Sequence, residues 1–103
     1  MDAVLHAIAE PRRRKILQLV STNELSAGEI ASRFDVTRPA ISQHLTVLKL
    51  AGLVSMRREG TRRIYRARPE ALSEVRGFLE GFWSEGLERL KTAAEQAEKG
   101  HSR

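Results

Sequence analysis

The sequence predicts a mainly α fold carrying one β-hairpin, and three observations support this. Apolar residues recur at helical spacing in five segments. Two β-tolerant runs flank Glu59-Gly60, with glycine at the second turn position. The final segment of roughly thirty residues has an apolar stripe longer than the preceding chain can cover.

The elements follow in chain order. Asp2 to Glu10 places Val4, Leu5, Ile8 and Ala9 at helical spacing. Pro11 ends that helix or opens the next, because proline is tolerated only in a first turn. Arg12 to Val20 forms the second helix, with Ile16, Leu17, Leu19 and Val20 on or near one side. Arg12, Arg13 and Arg14 in its first turn oppose the helix dipole. They need a partner, either phosphate or an Asp or Glu of the same chain. Ser21-Thr22-Asn23 is expected as a loop. Ser26-Ala27-Gly28-Glu29 is a capping box, with Leu25 and Ile30 placed for a hydrophobic staple. The helix it opens is expected to run Ser26–Phe34. After the Asp35-Val36 turn, Thr37 caps a helix reaching Ala51, with Ile41, Leu45 and Leu48 facing inward and Gly52 ending it.

In the hairpin, a two-residue Glu59-Gly60 loop would pair Arg57 with Arg62 and Val54 with Tyr65. Arg57, Arg62 and Arg66 then share one face, and Val54, Met56 and Tyr65 the other. Pro69 separates this hairpin from a helix over Glu70–Lys99, ~45 Å long at ~1.5 Å per residue. Its stripe holds Leu72, Val75, Leu79, Phe82, Gly86, Leu90, Ala93 and Ala97, widened by Phe78, Trp83 and Leu87. Glu85 with Arg89 and Glu95 with Lys99 are favourable i, i+4 pairs. Gly100 to Arg103 is expected as a loose end. The 103 residues make one domain, with a body over 2–69 and a dimerisation helix over 70–99.

Charge divides the same way. Residues 1–69 hold 13 bases and 6 acids, whereas 70–103 hold 5 bases and 7 acids. A basic body points to a polyanion, and a mildly acidic end to another task. The chain has no cysteine, which removes disulfides, thiolate metal sites and a Cys nucleophile. It shows no signal-peptide pattern and no apolar run of membrane-spanning length, so the expected address is the cytoplasm.

Helix, tight turn, helix and basic hairpin is the spacing of a winged helix-turn-helix. With its apolar side buried, the second helix of the pair leaves Arg38, Pro39, Ser42, Gln43, Thr46 and Lys49 outward, after the Thr37 cap. No acid stands among them, and Arg and Gln pair with guanine and adenine edges in the major groove. The hairpin adds Arg57, Arg58, Arg62, Arg63, Arg66 and Arg68 against Glu59 alone. Such a density of like charge calls for a polyanion, although edge charges also protect strands from aggregation. Double-stranded DNA is the expected partner.

Pro11-Arg12-Arg13-Arg14-Lys15-Ile16-Leu17, Ser42-Gln43-His44-Leu45 with Leu48, Ala51-Gly52-Leu53-Val54, and Arg58-Glu59-Gly60 followed by Tyr65 resemble the ArsR-type winged-helix repressors over about residues 2–68. The resemblance implies a homodimer in which terminal helices pack across a two-fold, and repression by promoter occlusion. The interface then includes Leu5 and Ile8 of the first helix and Leu72, Val75, Leu79, Phe82, Trp83 and Leu90 of the last. His44 falls in the family's Ser-x-His-Leu motif, where it either touches a phosphate or bonds within the helix pair. The departures are equally informative. Ser26 and Gly28 stand where metal-sensing relatives carry thiols, and the last helix lacks the histidines of the second family metal site. His6, His44 and His101 have no liganding spacing. No metal and no cofactor are expected, and the residues name no effector. No nucleophile–base pair, paired acids or phosphate-cradling glycine loop supports an enzyme. A ligand-responsive sensor and a protein-interaction module are the rival readings; an apolar recognition face would mark the second.

Overall fold

Capping chemistry sets most of the element boundaries. A computed structural model describes the backbone of residues 1–101 and the side chains of residues 1–98. The order is α1 (Asp2–Ala9), α2 (Pro11–Thr22), β1 (Leu25–Ser26), α3 (Ala27–Ala31), α4 (Arg38–Leu50), β2 (Val54–Glu59), β3 (Arg62–Ala67) and α5 (Pro69–His101). Met1–Leu72 is one compact unit, and α5 from Ser73 belongs to a second.

Glu10 alone links α1 and α2: its carboxylate accepts the Arg13 backbone N–H at 2.9 Å, and Pro11 occupies the first turn. Among the described residues no ion pair joins the arginines of that turn to an acid. Arg13 donates through Nε to the Ala7 carbonyl at 2.7 Å and through Nη2 to that of His6 at 3.2 Å. Arg14 donates to the carbonyls of Ile8 and Ala9. They occupy the negative C-terminal end of α1 and satisfy the carbonyls orphaned there, which offsets their unfavourable place in α2. Helix α2 also runs on through Ser21 and Thr22, where a loop was expected. Both hydroxyls bond back to carbonyls of the helix, Leu17 and Leu19.

The capping box is in place: Ser26 Oγ accepts from Glu29 N at 3.1 Å, and Glu29 accepts from Ser26 N at 2.9 Å. These two Ser26 groups hold the Glu29 carboxyl below its ordinary range, with Arg62 adding to the effect. Glu29 therefore contributes stability above its unfolded value near 4.5, lost as pH falls through the lowered folded value. Ser26→Ala is expected to lower stability by about 1 kcal/mol at neutral pH and to shrink the acid-side loss, measurable by urea denaturation at pH 7 and pH 3. Helix α3 ends at Ala31, short of the expected Phe34. The Ser32 hydroxyl takes the Glu29 carbonyl, and Arg33 and Phe34 make i to i−3 bonds, so the last turn tightens and stops.

Thr37 caps α4 through Ala40 N. Its end is a Schellman motif: Leu53 N bonds Leu48 O, Gly52 N bonds Lys49 O, and Gly52 has φ +78°. Ile41, Leu45 and Leu48 are closed from solvent with Ile16, Ile30 and Leu53.

The sheet has three strands in the order β1-β3-β2, all antiparallel, rather than a bare hairpin. β1 escaped the sequence reading because two residues carry no alternation. Register differs as well. The loop is Gly60-Thr61, so Glu59 pairs with Arg62, Arg58 with Arg63, Arg57 with Ile64, Met56 with Tyr65 and Val54 with Ala67. Moving the loop by one residue shifts each pairing by two positions, which preserves the faces. Arg57, Arg62 and Arg66 do share one side, and Val54, Met56 and Tyr65 the other.

Pro69 is the first residue of α5 rather than a separator, and the helix continues to His101. The rest of the expected loose end, Ser102 and Arg103, lies outside the described residues. Arg76 and Glu80 form the i, i+4 ion pair of this helix at 2.9 Å; Glu85 and Arg89 form none, and the Lys99 side chain lies outside the described set. No helix among the described residues is long and apolar enough to cross a membrane.

Candidate nucleic-acid interface

Burying Ile41, Leu45 and Leu48 turns the opposite side of α4 outward, and Arg38, Pro39, Ser42, Gln43, Thr46 and Lys49 are all exposed there. Among the described residues Gln43, the Ser42 hydroxyl and Lys49 have no side-chain partner. Thr46 commits its proton to the Ser42 carbonyl at 2.9 Å, leaving it an acceptor. The Arg38 guanidinium lies over Gly28: a Cβ built there would be 3.8 Å from Nη2. A position reaching outward for base edges had been expected of Arg38. Arg38 lies instead beside the start of α3, at a distance that a Cβ at Gly28 would meet as ordinary van der Waals contact.

His44 is half-buried, with Nδ1 3.4 Å from Arg13 Nη1. This contact joins α4 to α2, within the bundle but outside the α3–α4 pair. Glu10 feels the same cluster. Desolvation pushes its carboxyl up, but the Arg13 backbone N–H, His44 and the neighbouring arginines outweigh this and hold it low.

The wing arginines divide into two sets. On the outer side, Arg57 bonds Glu24 at 2.5 Å and Glu59 at 3.1 Å, Arg66 lies 3.8 Å from Glu24, and Arg62 bonds Glu29 at 2.7 Å. The Glu24 bond comes first in holding the Arg57 guanidinium above its ordinary value. This network lies on the same side of the sheet as buried Ile64. Glu59 is therefore not the only counter-charge. Glu24 and Glu29, each 33 residues before its arginine, were hidden because the pairing of β1 with β3 was not foreseen. On the inner side Arg58 and Arg63 stand directly opposite each other, exposed and free of ion pairs among the described residues. Like charges in that position repel. Arg68 belongs to neither set; it bonds Glu70 and the Gly52 carbonyl.

Between α4 and the wing is a concavity of about 360 Å³, lined by Arg38, Ser42 and Thr46 on one side and Thr61, Arg62, Arg63 and Tyr65 on the other, with Ser26, Ala27 and Gly28 at its edge. No carboxylate lines it. Ser26 is occupied as a cap, and among the described residues no three His, Cys, Asp or Glu side chains gather in a metal-binding group.

Of the expected interface residues, Leu5, Ile8 and Leu72 are half-buried in the single chain, and Val75, at 8 % exposure, has little surface left to offer. Leu79 is 45 % exposed, and Phe82, Trp83 and Leu90 are 68, 66 and 67 % exposed.

Comparison with known proteins places this geometry. Residues 10–56 match the model of a family described as "Bacterial regulatory protein, arsR family". The chain is 43 % identical over 86 residues to the HTH-type transcriptional regulator Rv2034 of Mycobacterium tuberculosis, covering 84 % of this chain and 80 % of the relative. It is 36 % identical over 86 residues to the transcriptional repressor SdpR of Bacillus subtilis, covering 84 % and 96 %. Its fold is similar to the homodimeric winged helix-turn-helix DNA-binding domain of Mb0332 from Mycobacterium bovis, with a TM-score of 0.67, 33 % identity and coverage of 82 % and 78 %. The capped helix pair, the basic wing and these similarities agree: the chain belongs to the arsR family of bacterial regulatory proteins, with the winged helix-turn-helix fold.

Proposed function

We propose that this protein is a homodimeric, sequence-specific DNA-binding repressor, with α4 reading bases in the major groove and the wing holding the backbone. The observation that carries the reading is the acid-free surface shared by α4 and the inner side of the wing, where Arg58 faces Arg63 without a counter-ion. A polyanion relieves that repulsion. SdpR, a repressor, and Mb0332, a homodimeric DNA-binding domain, support the direction and the assembly. The proposed contacts are Ser42, Gln43, Thr46 and Lys49 on the helix, Arg38 beside the wing, and Arg58 and Arg63 on it. Thr37 and Pro39 set the start of the helix, and His44 supports it from behind. Arg57 and Arg62 serve mainly to hold the hairpin against β1 and α3.

DNA titrations over a range of salt test the division of the wing. Arg63→Ala is expected to weaken operator and random DNA alike and to reduce the log–log salt slope by about one. Arg57→Ala, already neutralised by Glu24 and Glu59, is expected to leave the slope nearly unchanged. The reverse order would place the outer side of the sheet against DNA.

A further inference from the structure

We propose that the concavity between α4 and the wing is an oxyanion seat, in which the Tyr65 hydroxyl donates a hydrogen bond to a phosphate oxygen. This deepens the DNA-binding reading and rests on it. Tyr65 is 7 % exposed, with its ring in the core. A tyrosine so buried normally finds a partner for its hydroxyl. Here none of the described residues supplies one, yet no side-chain polar atom is both sealed from solvent and unpaired. Tyr65 is also one of the residues lining the concavity, and the proposed seat places its unpartnered hydroxyl there.

The rest of the lining fits an oxyanion. Arg63 neighbours it with no ion pair, Arg38 approaches from α4 across Gly28, and Arg62 reaches the same space while held by Glu29. These donors come from two elements, α4 and β3, and line one concavity, which suits a tetrahedral group with several acceptor oxygens. The concavity, about 360 Å³, has room for a hydrated phosphate. The phosphate belongs either to the DNA backbone or to a free oxyanion.

Tyr65→Phe in the full-length dimer tests this, since it removes an atom that bonds nothing in the protein and keeps the ring. Its melting temperature is expected to match the parent. Its affinity for operator and random DNA is expected to fall about 10-fold at every salt concentration, with an unchanged salt slope, because a neutral donor replaces no counterion. Arg63→Ala, measured alongside, lowers the slope. Replacing chloride by inorganic phosphate at constant ionic strength separates the sources. Phosphate that raises the melting temperature of the parent, but not of Tyr65→Phe, and weakens DNA binding assigns the seat to a free oxyanion. No phosphate effect, with weakened DNA binding by Tyr65→Phe, assigns it to the backbone. If Tyr65→Phe equals the parent in both arms while Arg63→Ala is impaired, the seat is overturned and the wing reading stands. If Arg63→Ala is also unimpaired, both fall together.

Discussion

Replacing Phe82 and Trp83 together with polar residues is expected to turn the proposed dimer into a monomer at micromolar concentration. In the single chain Phe82 and Trp83 are 68 and 66 % exposed, beside Leu90 at 67 % and Leu87 at 48 %. An exposed apolar patch of this kind is the feature by which interaction sites are recognised. Fully burying a large apolar side chain contributes roughly 1.5–3 kcal/mol, so these two residues, two thirds exposed in each of two protomers, supply on the order of 4–8 kcal/mol. Association costs of several kcal/mol are set against that sum. Losing it raises the dimer dissociation constant by at least about a thousandfold. Sedimentation equilibrium reads the effect directly. Monomer from the unmodified protein at micromolar concentration would contradict the dimeric assignment.

The second large effect separates two residues of α4. Gln43 is exposed and without a side-chain partner among the described residues, so both its amide groups are available to a base. A bidentate Gln–adenine contact is worth roughly 1–3 kcal/mol of discrimination, so Gln43→Ala is expected to lose that on the operator and much less on random DNA. Arg38 lies over Gly28 in the concavity, and Arg38→Ala is expected to weaken both DNAs evenly. Five residues apart on one helix, the two variants differ in kind.

Helix α4 was legible because its signals are local. Thr37, Pro39, the Ile41-Leu45-Leu48 spacing and Gly52 each act within a turn or two of their own position. The capping box at Ser26 and Glu29 was legible for the same reason. Faces of the hairpin survived a wrong loop because alternation depends only on parity, whereas pairing depends on the loop itself.

What stayed hidden depends on contacts distant in sequence or on competing side chains. The use of Arg13 and Arg14 as caps for α1 needs the angle between two helices, which no periodicity encodes. Glu24 and Glu29 reach the wing only because β1 joins β3. The early end of α3 coincides with the Ser32 hydroxyl bond and the tightened i to i−3 bonds of Arg33 and Phe34. Tyr65 showed itself as a core aromatic of the hairpin, and its unpartnered hydroxyl is visible only with the concavity in place.

The central claim is that α4 reads DNA sequence, and the ratio of operator to random affinity tests it most directly. The operator comes from selecting bound fragments out of random DNA with the unmodified protein. The ratio is then compared between that protein, Arg63→Ala and the double variant Ser42→Ala with Gln43→Ala. The double variant is predicted to lower the ratio by roughly 5- to 150-fold, the equivalent of 1–3 kcal/mol. Arg63→Ala is predicted to lower both affinities and leave the ratio nearly intact. An unchanged ratio in the double variant would mean that Arg38–Leu50 is not the reading element.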